Sequence, residues 1–480
     1  MPDHPPDSTG TVDHDGVTIA YQVHGHGDTV VLLLPAWAIA DSRLWRAQVP
    51  YLAARHRVIT YDPRGNGASD RPADPAAYGT LTQVGDALAV LDAAGVDRAV
   101  LVGNSFGGIL AYLLAALHPD RVAGAVMIGA TLNVDGRDDF PLARGLLTFD
   151  EDHGRDEGWG RYNRHSFARD YPGFVRFFVG EALNDPHATK LLEDAEGWGL
   201  ATTPAVLAAT LGDRAAVPPA TTAERLRAMA PAISCPVLVI HGTEDRIAPV
   251  HLGRSLAALL DAPLVEMPGA GHCPQARYPV QVNRLLRRFL DGIGGSDGTV
   301  AADARTGAGA PDRDAADGAD GATSAVPDPG ARRRPSPPRV LYLSSPIGLG
   351  HARRDLAIVD ELRRLAPGVQ VDWLAQDPVT RVLDAAGERV HPASARLASE
   401  SSHLESEAGE HDLHVFEAVR RMDQILVSNF MTFLDVLGSG RYDLVVGDEA
   451  WEVDHFLHED PTAKRARFAW LTDFVGYLPV

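Results

Sequence analysis

Short apolar runs recur through roughly the first 290 residues: Val30-Val-Leu-Leu-Leu, Val58-Ile-Thr-Tyr, Ala99-Val-Leu-Val, Ala125-Val-Met-Ile, Val237-Leu-Val-Ile and Leu264-Val-Glu-Met. Runs this short and this continuous suit strands of a parallel sheet buried on both faces. Between them, Leu81, Val84, Leu88 and Leu91 recur at helical spacing, and Gly95 stands where such a helix would stop. Phe106 to His118 predicts another helix, ended by Pro119. Strand–helix alternation of this kind predicts a doubly wound α/β sheet.

Residues from about 131 to 232 interrupt the alternation, since they carry no strong strand. They are rich in aromatics: Trp159, Tyr162, Phe167, Tyr171, Phe174, Phe177, Phe178 and Trp198. An insertion this long is either a helical subdomain or disordered, and aromatic content argues for a folded one, read as a helical cap over the active site. From about 292 to 337 the pattern vanishes. Gly, Ala, Asp and Pro dominate, little can be buried, and a flexible, disordered linker is expected. A second α/β unit, 338–480, then begins with a strand at Arg339-Val-Leu-Tyr-Leu, a glycine turn and a helix through about Leu365. Further strands are expected at Val369–Leu374, at Asp443-Leu-Val-Val-Gly and at Phe468-Ala-Trp-Leu.

Composition narrows the functional classes. The 480 residues exceed one ordinary domain, and 44 basic against 64 acidic side chains give a formal charge of −20. That balance argues against nucleic-acid binding, which needs a basic stripe to neutralise phosphates. Two cysteines, Cys235 and Cys273, make no disulfide framework, and the N-terminus lacks the basic and apolar regions of a signal peptide. No run reaches the length of a transmembrane helix. A cytoplasmic protein is expected.

Chemistry concentrates at Gly103-Asn-Ser105-Phe-Gly107-Gly, directly after one predicted strand and opening a helix. A serine on so sharp a turn needs small neighbours two residues away, and its hydroxyl stands above the sheet at a helix N-terminus. A serine nucleophile needs a base, and the base needs an orienting carboxylate. Asp245 follows the strand Val237–Ile240, with Glu244 as the alternative acid; His272 follows the strand Leu264–Met267. Both stand at carboxyl ends of strands, where open α/β sheets bind ligands. His241 is read as support for the acid loop, and Cys273 as a buried neighbour of His272. No metal or cofactor is expected.

With these motifs, residues from about 12 to 291 resemble the α/β-hydrolase superfamily in its cap-containing branch. Asp62-Pro-Arg64-Gly65-Asn-Gly67-Ala-Ser69 matches that family's D-x-R-G-x-G-x-S turn, and Asp245-Arg-Ile-Ala-Pro its acid loop. The resemblance implies that Asp62 and Arg64 are mainly structural. A serine where some branches carry aspartate points away from haloalkane dehalogenases and epoxide hydrolases, toward acyl chemistry or cleavage of a C–C bond next to a carbonyl. Relatives usually carry His-Gly-x-Pro after the third strand, whereas this chain has Pro35-Ala36-Trp37-Ala38. An oxyanion hole uses backbone N–H groups, and by position these belong to Trp37 and Phe106.

The second unit opens on Ser345-Pro-Ile-Gly348-Leu-Gly350-His351 with no Lys-Ser/Thr pair, so it is no P-loop. It resembles the N-terminal, Rossmann-like half of GT-B glycosyltransferases, notably those acting on lipid-linked acceptors. The resemblance implies that Gly348, Gly350 and His351 form an acceptor or phosphate turn facing a lipid-linked or glycosyl acceptor. The family's nucleotide-sugar half is not in this chain, and the unit is expected to be incomplete. The expected function is a Ser-His-Asp hydrolase of an ester, thioester, lactone or C–C bond beside a carbonyl in a small acyl substrate, fused to this half domain. The alternatives are a non-enzymatic binding module that retains the three residues, or a fragment of a bifunctional hydrolase and glycosyltransferase.

Overall fold

A computed structural model describes residues 5–154, 156–185, 188–215, 222–294, 337–346, 349–399, 403 and 422–472. The predicted linker lies outside them except at its edges. The chain divides into two compact units, Met1–Arg305 and Thr306–Val480.

The first unit is built on eight strands: β1 (Ser8–His14), β2 (Val17–His24), β3 (Val30–Leu34), β4 (Arg57–Tyr61), β5 (Ala99–Asn104), β6 (Val122–Ile128), β7 (Val237–Gly242) and β8 (Leu264–Met267). Their order across the sheet is β1-β2-β4-β3-β5-β6-β7-β8. From β4 to β8 every pairing is parallel, while β1 with β2 and β2 with β4 are antiparallel. The six apolar runs all form strands. The hairpin β1–β2 went unread in the sequence because its residues alternate and its outer strand is largely exposed.

Helices α1 (Val49–Ala53), α2 (Thr80–Ala93) and α3 (Phe106–Leu117) belong to the first half of the sheet. Helix α2 buries Val84, Ala87, Val90 and Leu91, whereas Leu81 points to solvent despite its helical spacing. Helix α3 is buried from Phe106 to Ala116, which its nearly unbroken apolar sequence allows. The long interval between β6 and β7 folds into α4 (Pro141–Leu147), α5 (Arg164–Arg169), α6 (Tyr171–Leu183), α7 (Thr189–Leu200), α8 (Pro204–Ala215) and α9 (Ala223–Met229). Its aromatics pack on one another: Tyr162, Phe167, Phe174 and Phe178 are buried, with the Phe167 and Phe174 rings 4.0 Å apart. Helices α10 (Val250–Leu260), α11 (Pro274–Arg277) and α12 (Pro279–Gly294) complete the unit, and α12 continues past the expected linker boundary to Gly294.

The second unit has a four-stranded parallel sheet of β9 (Arg339–Ser344), β10 (Gln370–Ala375), β11 (Leu444–Asp448) and β12 (Arg467–Leu471), in the order β10-β9-β11-β12. Its described helices include α13 (Leu349–Leu365), α14 (Val379–Ala385), α15 (Asp423–Ser439) and α16 (Trp451–Glu459). The unit has its own core around Tyr342, Val359, Val371, Trp373 and Leu383.

Candidate active site

Ser105 sits at the carboxyl end of β5 with φ 57° and ψ −117°, a backbone conformation costly for a residue with a side chain. The turn is held by Ser105 N–H donating to Ile128 O at 2.9 Å and Gly108 N–H donating to Ser105 O at 3.0 Å. Its flanking glycines are sterically required. A Cβ at Gly103 would lie 2.1 Å from Gly107 O, and one at Gly107 would lie 2.7 Å from Pro35 O. The second contact also brings the Pro35–Ala38 segment against the first turn of α3.

Asp245 and His272 lie beyond β7 and β8 and meet directly: His272 Nδ1 is 2.7 Å from Asp245 Oδ2. Asp245 Oδ1 accepts the N–H groups of Ile247 and Ala248, each at 2.8 Å. Burial pushes the Asp245 carboxyl pKa up, but His272 and His241 beside it outweigh burial and hold it at about 2. The carboxylate is therefore ionised through the whole neutral range. Glu244, the alternative acid, is exposed. His241 lies within 2.6 Å of Ala248 O through Nε2, which ties the acid loop to its strand.

The other ring nitrogen of His272, Nε2, is buried without a hydrogen-bond partner. Its loop is fastened to the serine turn by Asn104, whose Nδ2 donates to His272 O at 2.9 Å and to Ile128 O at 3.1 Å. Asn104 precedes Ser105 in the motif, yet nothing local in the sequence signals its role. Cys273 is half-buried, and desolvation of its thiol, with Asp245 nearby, pushes its pKa up to about 12. That keeps it protonated and unreactive.

Asp62 and Arg64 serve the turn after β4. Asp62 accepts N–H groups of Ser42 at 3.0 Å and Ala68 at 2.8 Å, while buried Arg64 is paired with Asp86. Trp37 is buried, and its indole enters the helices between β6 and β7. Among the described residues no group of three or more His, Cys, Asp or Glu is arranged to hold a metal ion. None of their helices is long and apolar enough to cross a membrane.

In the second unit, Gly348 lies outside the described residues. Gly350 stands in the first turn of α13, where an added Cβ would meet nothing. His351 Nδ1 lies 2.9 Å from Asp448 Oδ2 at the end of β11, and Arg354 pairs with the same carboxylate. Ser345, Gln376, Asn429, Asp448 and Glu449 share a small cleft there.

The alpha/beta hydrolase fold family matches residues 29–277, and the chain belongs to it. It is 34% identical over 289 residues to a 2-hydroxymuconate semialdehyde hydrolase of Pseudomonas sp. (strain CF600), covering 56% of this chain and 85% of that protein. A protein of the same name from Pseudomonas putida is 32% identical over 260 residues, covering 49% of this chain and 76% of its own length. A thermophilic esterase from Thermogutta terrifontis shares the fold, with a TM-score of 0.50 and 24% identity over 60% of this chain and 100% of its own. The chain is thus an enzyme of the α/β-fold, carboxylic-ester-hydrolase-like kind.

Proposed function

We propose that the first unit is a serine hydrolase in which Ser105 is the nucleophile, His272 the base and Asp245 the residue that orients it. The observation carrying this reading is His272 itself. One ring nitrogen is engaged by a buried carboxylate, the other is buried without a partner, and Asn104 ties its loop to the turn bearing Ser105. An imidazole so held has one tautomer and a free acceptor, which a general base requires.

In this mechanism Ser105 Oγ attacks the carbonyl carbon while His272 Nε2 takes its proton. The backbone N–H groups of Trp37 and Phe106 stabilise the resulting oxyanion. The C–O bond breaks, His272 returns the proton to the leaving alcohol, and water hydrolyses the acyl-enzyme by the same steps. The substrate class is a carboxylic ester, thioester or lactone, or a C–C bond next to a carbonyl. The last option draws on the 34% identity to a semialdehyde hydrolase. Helices α4–α9 act as the cap. The second unit is proposed as the GT-B-like half domain, its cleft at the ends of β9 and β11 facing a glycosyl acceptor.

A fluorophosphonate probe tests the reading, because only an activated serine is phosphonylated. The wild-type chain should be labelled at Ser105. Ser105→Ala should abolish labelling and reduce hydrolysis about a millionfold with the fold retained. Hydrolysis within about tenfold of wild type would overturn the assignment.

A further inference from the structure

The Trp37 indole makes a connection that the reaction scheme leaves unused. It lies edge-on to Phe178 and Phe174, with ring centroids 5.2 and 6.3 Å away. Its Nε1 donates to Thr210 Oγ1 on α8 at 2.6 Å, and that hydroxyl donates in turn to Leu207 O at 2.7 Å. Both residues are buried. Because the Thr210 proton is committed to a carbonyl of its own helix, the hydroxyl meets the indole as an acceptor. The acceptor is therefore fixed in direction as well as in place.

Helix α8 is itself anchored. Thr202, just before it, donates through Oγ1 to Gly65 O at 2.6 Å. In the same turn, Asn66 Nδ2 donates to Ala38 O at 2.9 Å and to Trp198 O at 3.1 Å. The Trp37–Ala38 segment is thus held at one side chain and two carbonyls, since Trp37 O accepts the Ala40 N–H at 3.0 Å, with the Pro35 carbonyl packed against Gly107. Glycine and proline could shape this segment by backbone restriction alone. Ala36-Trp37-Ala38 has neither, so beyond Pro35 before it and the Trp37–Ala40 backbone turn, its geometry depends on what the tryptophan is fastened to.

We propose that Thr210 is a positioning residue for the oxyanion hole: by accepting the Trp37 indole it fixes the direction of the Trp37 backbone N–H. This rests on the hydrolase reading above. It makes α8 part of the reacting geometry. A donor misaimed by a fraction of an ångström stabilises the oxyanion less while leaving substrate binding alone.

The test uses the full chain and saturation kinetics of labelling by a fluorophosphonate, whose phosphoryl oxygen occupies the same hole. Thr210→Val, close in shape, should lower the limiting labelling rate by about tenfold to a hundredfold, with the half-saturating concentration changed less than about twofold. Thr210→Ser should restore the wild-type rate. Trp37→Phe keeps the ring among Phe174 and Phe178 but removes the donor, so it should match Thr210→Val, and the double variant should be no slower than either. Wild-type labelling by Thr210→Val, with only a lowered Tm, would make the contact merely structural and overturn the proposal. Should Thr210→Val fail to fold, wild-type labelling by Trp37→Phe would overturn it equally. Ser105→Ala separates the two readings. Labelling that persists there sinks the hydrolase reading, whereas its loss alongside wild-type rates in the Thr210 and Trp37 variants sinks this inference alone.

Discussion

A histidine serves as a base only when one nitrogen is held and the other is free, and here the holding group is one of two adjacent acids. Asp245 is 7% exposed and accepts three close donors, counting His272, whereas Glu244 faces solvent. Asp245→Asn should therefore reduce hydrolysis by about ten-thousandfold, through the wrong imidazole tautomer, and Glu244→Gln should change it less than about threefold. Rates of ester hydrolysis for the two variants decide the matter, and the reverse order would make Glu244 the acid. Asp245 and His272 were legible as candidates because each follows an apolar run, where strands of an α/β sheet present their ends. Asn104 and Thr210 were not legible. Their partners lie 168 and 173 positions away, and neither an asparagine inside the serine motif nor a threonine beside apolar neighbours carries a local mark of such a contact.

At the scale of elements, continuous apolar strands were read from the sequence and alternating ones were not. The β1–β2 turn did carry a signal: Asp15 and Gly16 have φ of 55° and 74°, the pair of positive angles that an Asp-Gly hairpin turn supplies. Helix α15, apolar over most of its length, lies in an interval where no strand or helix was expected. Elements also explain a titration in the second unit. Asp355 on α13 accepts Tyr342 OH at 2.9 Å and Ser344 Oγ at 2.5 Å from β9. Burial, with Asp448 of β11 nearby, pushes its carboxyl up to about 6, although the Ser344 and Tyr342 hydrogen bonds oppose the shift. The folded chain then holds this proton to about 6 and the unfolded chain only to 3.8. The stabilisation is full below 3.8 and is lost as pH rises through about 6. Exchange protection of the β9 amides, corrected for intrinsic rates, should fall across this window in the wild type. It should stay flatter in Asp355→Asn, and equal slopes would refute the coupling.

For the whole molecule, the sequence announced two α/β units because two sets of apolar runs flank a stretch with almost nothing to bury. What it could not announce was the use of the aromatics between β6 and β7. Their packing on Trp37 ties them to the segment after β3, so they fill a core. Each unit has a core drawn from its own residues, the first around Leu32, Leu101, Leu110 and Met127, the second around Tyr342 and Trp373. Every residue in the proposed hydrolase chemistry, from Trp37 to His272, belongs to the first. A chain ended after Gly294 should therefore fold and retain the full limiting rate of fluorophosphonate labelling, within about twofold, because no residue of the first unit's core or of its proposed site is removed. The comparison needs equal amounts of the two proteins and a thermal melt of each. If the shortened chain melts cooperatively but labels more than tenfold slower, the second unit contributes to the serine's site. The two halves would then have to be treated as one enzyme.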